Sequence, residues 1–384
     1  MHIVVLNWRD TANPEGGGSE VYIEEIAQRL VTRGHTVTIV CAAHDAAPHM
    51  DVRLGIRFIR VGSKLTVYSR ARGLLRSGAL GRIDVIVDTQ NGIPFFSPWA
   101  TSVPTVALVH HVHREQWPVV YDPIRARIGW HIESRWAPRV YRRSPYIVVS
   151  NATGTEINAL GVARESITVV HNGTMPAANT HTPPDPRPRI LVLGRLVPHK
   201  RAEHVLHAAA RLRQRHPGLR VAIVGDGWWA AALRDCAEQL GVEDITEFTG
   251  HVDEDEKAQQ IARAWVLALP SIKEGWGLVV LEAASAGVPA VAYADAGGVA
   301  ESIVDGETGI LVHGDDIAFA TALESLIAED DLRLTMGRRA RDHSTKFSWE
   351  VSTQRFEAVL ARAVADAARN ASSSSRRRRR ARRQ

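Results

Sequence analysis

Residues 2–41 read as a strand, a glycine-rich loop, a helix and a second strand, an order that constrains the fold more than any other feature of the chain. His2-Ile3-Val4-Val5-Leu6 is a short, largely β-branched run, followed by a polar segment that ends in Gly16-Gly17-Gly18-Ser19. Ile23, Ile26, Ala27, Leu30 and Val31 then recur at helical spacing, and Gly34 is placed to stop the helix before the apolar run of residues 36–41. A strand that returns through one helix to its neighbour makes a parallel pair, so the expected product is a mostly parallel sheet with helices packed against it.

Short apolar runs at 52–61, 83–87, 105–109, 146–149 and 167–170 continue the pattern, separated by segments that can be helical. Residues 175–188 (MPAANTHTPPDPRP) hold five prolines and little apolar content, the composition of an extended linker. Beyond it the alternation restarts, with strands at 190–193, 220–224, 245–248, 266–269, 290–293 and 309–312 and helices near 201–215, 229–240 and 277–286. The expected architecture is α/β throughout, with two doubly wound domains facing each other across a cleft: 1–174, the linker 175–188, and 189–345. A C-terminal helix at 346–370 is placed to pack back on the first domain, and a Ser/Arg tail at 371–384 reads as disordered. A chain of 384 residues suits two domains at roughly 150 residues each.

Charge changes meaning once it is divided. The net +5 includes seven arginines within the last nine residues, and the body carries 40 basic against 42 acidic residues, a net of −2. The polyanion affinity suggested by the total therefore belongs to the tail, and nucleic acid is not the expected partner. Cys41 and Cys236, the two cysteines, have no metal-spaced neighbours. The opening MHIVVLNWRD lacks a leader pattern, and no run of about 18 apolar residues occurs. The expectation is a cytoplasmic protein without a membrane span.

Two segments concentrate chemistry. Glu274-Gly275-Trp276-Gly277-Leu278-Val279-Val280-Leu281-Glu282 sets two carboxylates around a glycine loop that opens a helix, so the amides near Gly277, Leu278 and Val279 can face a diphosphate. Glu274 and Glu282 can then accept from sugar and ribose hydroxyls. Gly194-Arg195-Leu196-Val197-Pro198-His199-Lys200 follows a strand and puts a guanidinium fork and a point charge in one loop, suited to a leaving diphosphate.

With these motifs, and with Gly297-Gly298-Val299-Ala300-Glu301 and Asp305-Gly306-Glu307-Thr308-Gly309 further on, the chain resembles the retaining glycosyltransferases of family 4, also called glycosyltransferase group 1, over nearly its whole length except the arginine tail. The resemblance implies the GT-B fold of two Rossmann-like domains, and a hexosyltransferase that uses a UDP-, GDP- or ADP-hexose donor held mainly by the C-terminal domain. It puts Arg195 and Lys200 on the diphosphate, Glu274 on the sugar and Glu282 on the ribose. It places Gly17 and Gly18 near the diphosphate and implies neither cofactor nor metal.

The run His110-His111-Val112-His113 offers three histidines for the donor, and the resemblance carries the active-site role to His110. Alternating strand residues point oppositely, which argues against a metal site there. Two positions depart from the family pattern: Arg201 stands where a glycine is common, and Trp228-Trp229 follows a Gly225-Asp226-Gly227 turn that imitates a dinucleotide fingerprint. The tryptophans suit interdomain packing or ligand contact.

Between Arg125 and Arg143 six arginines face one acid, Glu133, among Trp130, Trp136 and Tyr141, and 63–77 adds Lys64, Arg70, Arg72 and Arg76. Such a surface suits an anionic membrane, as does the glycolipid or lipid-linked acceptor that the resemblance implies. It implies a protein peripheral at the inner face of the cell membrane. Two other readings stay open: a sugar-nucleotide epimerase of the same fold, and a non-enzymatic polyanion-binding protein that uses the tail.

Overall fold

The computed structural model describes residues 1–174 and 181–381, with side chains described through residue 372. The first sheet is built from β1 (His2–Leu6), β2 (Thr36–Cys41), β3 (Met50–Arg53), β4 (Ile56–Arg60), β5 (Val85–Gln90), β6 (Thr105–Val109), β7 (Tyr146–Val148) and β8 (Ile167–Val169), in the order β3-β4-β2-β1-β5-β6-β7-β8. All its neighbours are parallel except β3 and β4. The single strand expected at 52–61 instead spans the end of one strand, a turn and the second strand of a hairpin. Arg53 pairs with Ile56, and Leu54 (φ 52°) and Gly55 (φ 77°) make the left-handed two-residue turn between them. The positive φ at Leu54 is not signalled by its residue type.

The second sheet holds β9 (Arg189–Leu193), β10 (Arg220–Val224), β11 (Thr246–Gly250), β12 (Val266–Leu269), β13 (Ala290–Tyr293) and β14 (Gly309–Val312), all parallel, in the order β11-β10-β9-β12-β13-β14. In both sheets the strand order reverses beside the first strand, β1 or β9, and the carboxyl ends of strands at such reversals form the ligand crevice of open α/β sheets. The loops after β1, β9 and β12 are therefore the ones that build a site.

The two domains share buried surface. Trp276 and Leu281 of the second domain, and Trp349, Phe356 and Leu360 of the last helix, Trp349–Ala381, pack with Ile3, Tyr22, Ile26 and Leu108 of the first. Each such burial is worth about 1.5–3 kcal/mol. Gly173 makes the crossover tight: a Cβ there would lie 2.3 Å from the Trp349 nitrogen. Arg33 adds ion pairs to Glu350 (2.5 Å) and Glu357 (2.8 Å). The last helix runs to Ala381, past the boundary at 370 where disorder is expected, because no proline or glycine interrupts the segment. Residues 175–180 of the Pro-rich segment and 382–384 of the tail lie outside the described residues.

Candidate active site

The second-domain wall is a stack of glycine-bearing loops. A Cβ on Gly225 would come 2.0 Å from the Gly194 carbonyl oxygen, and one on Gly227 would come 2.1 Å from that of Leu196. The Gly225-Asp226-Gly227 turn is thus the backbone support of the Gly194–Lys200 loop, which explains its fingerprint-like spacing. Trp229 donates to Glu203 of its own domain and Trp228 is 63% exposed, so neither packs between the domains. Arg201 takes a left-handed conformation (φ 48°), the one a glycine adopts at no cost. Its guanidinium donates to the Pro270 carbonyl (2.9 Å) and lies over the Tyr293 ring (4.5 Å), bracing the loop.

Across this loop Lys200 forms a short ion pair with Glu274. The Glu274 amide donates to the Ala296 carbonyl (2.7 Å), and the Glu274 carbonyl accepts from Gly298 (3.0 Å). Gly277 (φ 83°) then turns the chain into the helix Leu278–Ser285, whose first amides at Leu278 and Val279 face outward as at any helix start. Glu282 accepts from Lys257 at 3.0 Å.

The first domain closes on these same residues. A Cβ on Gly17 would meet Arg195 Nε at 3.4 Å, one on Gly18 would meet Leu278 Cδ1 at 3.2 Å, and one on Gly275 would meet the His110 carbonyl oxygen at 2.4 Å. Lys273 pairs closely with Glu156 across the cleft. Glu301 accepts from the Asn151 amide (2.9 Å), the Ala152 amide (2.7 Å) and the Asn151 side chain (2.9 Å), capping the first-domain helix Asn151–Ala159 from the other domain.

Two family models divide this architecture between them. The glycosyltransferase family 4 model matches residues 16–178, and the group 1 glycosyl transferases model matches 177–343. The chain belongs to the family 4 glycosyltransferases. It is 27% identical to a glycogen synthase of Mycobacterium tuberculosis over 91% of this chain and 92% of that one. It is 29% identical to a D-inositol 3-phosphate glycosyltransferase of Kribbella flavida over 88% and 89%. HepE of Anabaena, solved with UDP-glucose, has the same fold, with a TM-score of 0.73 at 20% identity over 94% of this chain and 99% of that one. The fold is GT-B, and the protein is a hexosyltransferase that uses a nucleotide-sugar donor.

In this glycosyltransferase the three histidines have different surroundings. His110 follows β6 with its ring buried edge-on against Tyr22 (5.3 Å) and Nε2 without a partner. Burial, helped by His113, lowers its pKa to about 3, so the ring is neutral. His111 bonds to Gln116 (3.1 Å), and burial likewise holds its pKa low. His113 Nδ1 lies 3.1 Å from Glu133. Burial, and then Lys200 and Arg195, take His199 down to about 4, so the cationic loop keeps its own histidine uncharged.

Glu133, the lone acid among the arginines, is fully buried and accepts from the His113 amide (3.1 Å) and the Trp117 indole (2.7 Å). A π-helical turn, Ile132–Trp136, carries it inward. Tyr141 is also interior, donating to buried Asp88 (2.5 Å), and so leaves the proposed membrane face. Arg9, Glu15 and Lys273 line or lock the cleft, and none of the three has a sequence signal beyond its charge; Glu301 belongs to the Gly297–Glu301 motif but its cross-domain role is not read from it. Among the described residues no three of His, Cys, Asp and Glu converge as metal ligands.

Proposed function

We propose that this glycosyltransferase moves a hexosyl group from UDP-, GDP- or ADP-hexose to a hydroxyl of a glycolipid or lipid-linked glycan, with retention of configuration and without a metal. The observation that carries the reading is that Arg195 faces Gly17 and Leu278 faces Gly18 across the cleft, beside the Lys200–Glu274 pair. Arg195 and Lys200 neutralise the leaving diphosphate, Glu274 and the orphan Nε2 of His110 hold sugar hydroxyls, and Glu282 holds the ribose. Gly194 lets the Arg195 loop leave β9, and the Leu278 and Val279 amides after Gly277 meet a phosphate oxygen. With no side-chain nucleophile assigned, the leaving phosphate oxygen takes the acceptor's proton on the face it departs from. UDP-glucose in the HepE structure supports the donor class.

The acceptor reading rests on a surface beside the cleft. Ile124 (73% exposed), Ile128, Trp99 and Trp136 stand among exposed Arg125, Arg127, Arg135 and Arg139, the mixture that binds an anionic leaflet and suits action at the inner face of the cell membrane. No helix among the described residues is long and apolar enough to cross a membrane.

The test is binding of UDP, GDP and ADP and their hexose conjugates, then nucleotide release with a lipid extract, with the product anomer read by NMR. One diphosphate should bind tightly, more weakly in Arg195→Ala and Glu282→Ala, and release should require the extract. Failure of every nucleotide to bind folded protein would overturn the reading.

A further inference from the structure

We propose that Trp8, Arg9 and Lys64, on the first-domain side of the cleft, form the site for a phosphate carried by the acceptor, and that the Glu15 carboxylate occupies that anion's position. The inference rests on the glycosyltransferase reading above and adds the chemistry of the acceptor.

Arg9 comes just after β1, at the strand-order reversal where the crevice opens. Its residue is 7% exposed, and its guanidinium lies over the Trp8 ring at 4.1 Å. Nη2 reaches the Glu15 carboxylate at 2.9 Å, and Nη1 makes a short bond to the Glu15 carbonyl. From a distant segment, Lys64 Nζ approaches the same indole (5.1 Å) and the same carboxylate (3.5 Å). The Trp8 indole N–H fixes that segment by donating to the Lys64 carbonyl at 3.1 Å. Two cations thus converge on one indole and one carboxylate.

The exposures are unequal, and that decides which partner is exchangeable. The Arg9 side chain is 8% exposed and that of Glu15 is 62% exposed. A buried guanidinium needs an anion, whereas an exposed carboxylate gains little from its pair. Burial, and then the neighbouring Arg195, lower the pKa of Arg9, against the upward pull of Glu20 and then Glu15. A phosphate matches the guanidinium fork with two oxygens and keeps a third for Lys64.

Position ties the pocket to the reaction. Arg195 Nη1 approaches the same Glu15 carbonyl that Arg9 holds, at 3.4 Å, so the anion site adjoins the donor diphosphate site. An acceptor anchored by its phosphate at Arg9 presents its hydroxyls to the donor sugar. The phosphate ester can belong to a free sugar phosphate or to a lipid headgroup.

The test is calorimetric titration of the full chain, with and without saturating UDP, using glucose 6-phosphate, glucose and a water-soluble short-chain phosphatidic acid. Binding of glucose 6-phosphate alone marks a free sugar phosphate, and binding of the phosphatidic acid marks a lipid source, while glucose should not bind. Arg9→Gln should weaken the phosphate ligand about tenfold or more, with UDP affinity unchanged, as expected for loss of a charged hydrogen-bond pair. Glu15→Gln should tighten the phosphate ligand. Failure of both phosphates to bind wild type and Glu15→Gln overturns the proposal, as does an Arg9→Gln loss that falls equally on UDP. Should Arg9→Gln not fold, Glu15→Gln and Lys64→Gln carry the same comparison with opposite expected signs. Absence of any nucleotide binding sinks the donor reading, while the titrations without nucleotide still judge this site.

Discussion

The two walls of the cleft are built in different ways. On the second-domain side the charged groups come from two short segments, 194–201 and 274–282, and glycines press their loops against neighbouring backbone. On the first-domain side the polar groups are held mostly by residues farther along the chain: Glu15 by Lys64, His113 on Glu133, and Asp10 on Arg60 (Nε at 2.8 Å). Local motifs make the second-domain wall, so its charged groups sit in two short stretches of sequence. Tertiary pairing makes the first-domain wall, so its chemistry can change without disturbing the loops opposite.

The largest expected effect sharpens the donor side. Lys200→Ala should lower turnover by about 10²–10³-fold, the loss typical when one group that stabilises transition-state charge is removed. The melting temperature should move little, and normal turnover would contradict the role given to Lys200.

The contact that joins the walls comes next. Glu301→Ala removes a helix cap worth about 1–2 kcal/mol from the closed arrangement. The expected signature is a raised KM with a smaller change in kcat, and a larger radius of gyration in X-ray scattering. Burial alone would raise the Glu301 pKa, but His171 at 3.6 Å and the Asn151 and Ala152 donors outweigh it and bring it to about 2. Because the folded value lies below the ordinary 4.5, the clamp is fully present above that pH and is lost as pH falls towards about 2. Glu301→Gln should flatten this acid-side opening, and an unchanged pH profile would show that the clamp lies elsewhere.

A smaller effect should separate the walls. Glu133→Gln brings an amide donor where two N–H groups and a ring nitrogen already converge, costing about 1–3 kcal/mol of stability. Acceptor KM should rise while nucleotide affinity holds, and a parallel loss of nucleotide binding would mean that the walls are not independent. The smallest effect is expected from deleting residues 372–384, which should leave turnover on a soluble acceptor unchanged and reduce only affinity for anionic vesicles.

Much of the fold was legible because it rests on local pattern. Strand runs followed by helical spacing specify a doubly wound sheet, and the Gly194-Arg195 and Glu274–Glu282 segments carry their own glycines. Leu54 and Arg201 were not legible as turn positions, since neither is a residue that favours positive φ and each is held there by its surroundings. The single apolar run at 52–61 hid a hairpin for the same reason. Glu133 read as one acid diluting an arginine surface, and Tyr141 as part of that surface, yet both are interior. Helical periodicity does not announce a π-turn, and the partners of Glu133 lie some twenty residues upstream.

By itself the sequence determined the alternation of strands and helices, the two-domain division and the residue types of the 194–201 and 274–282 loops, because each depends on neighbours within a few turns of chain. The tertiary structure alone decided which histidine is buried, that Glu301 caps a helix of the opposite domain, and that Arg9 and Lys64 meet at Glu15. Those outcomes depend on distances between segments brought together by closure of the two sheets, and no local pattern encodes such distances.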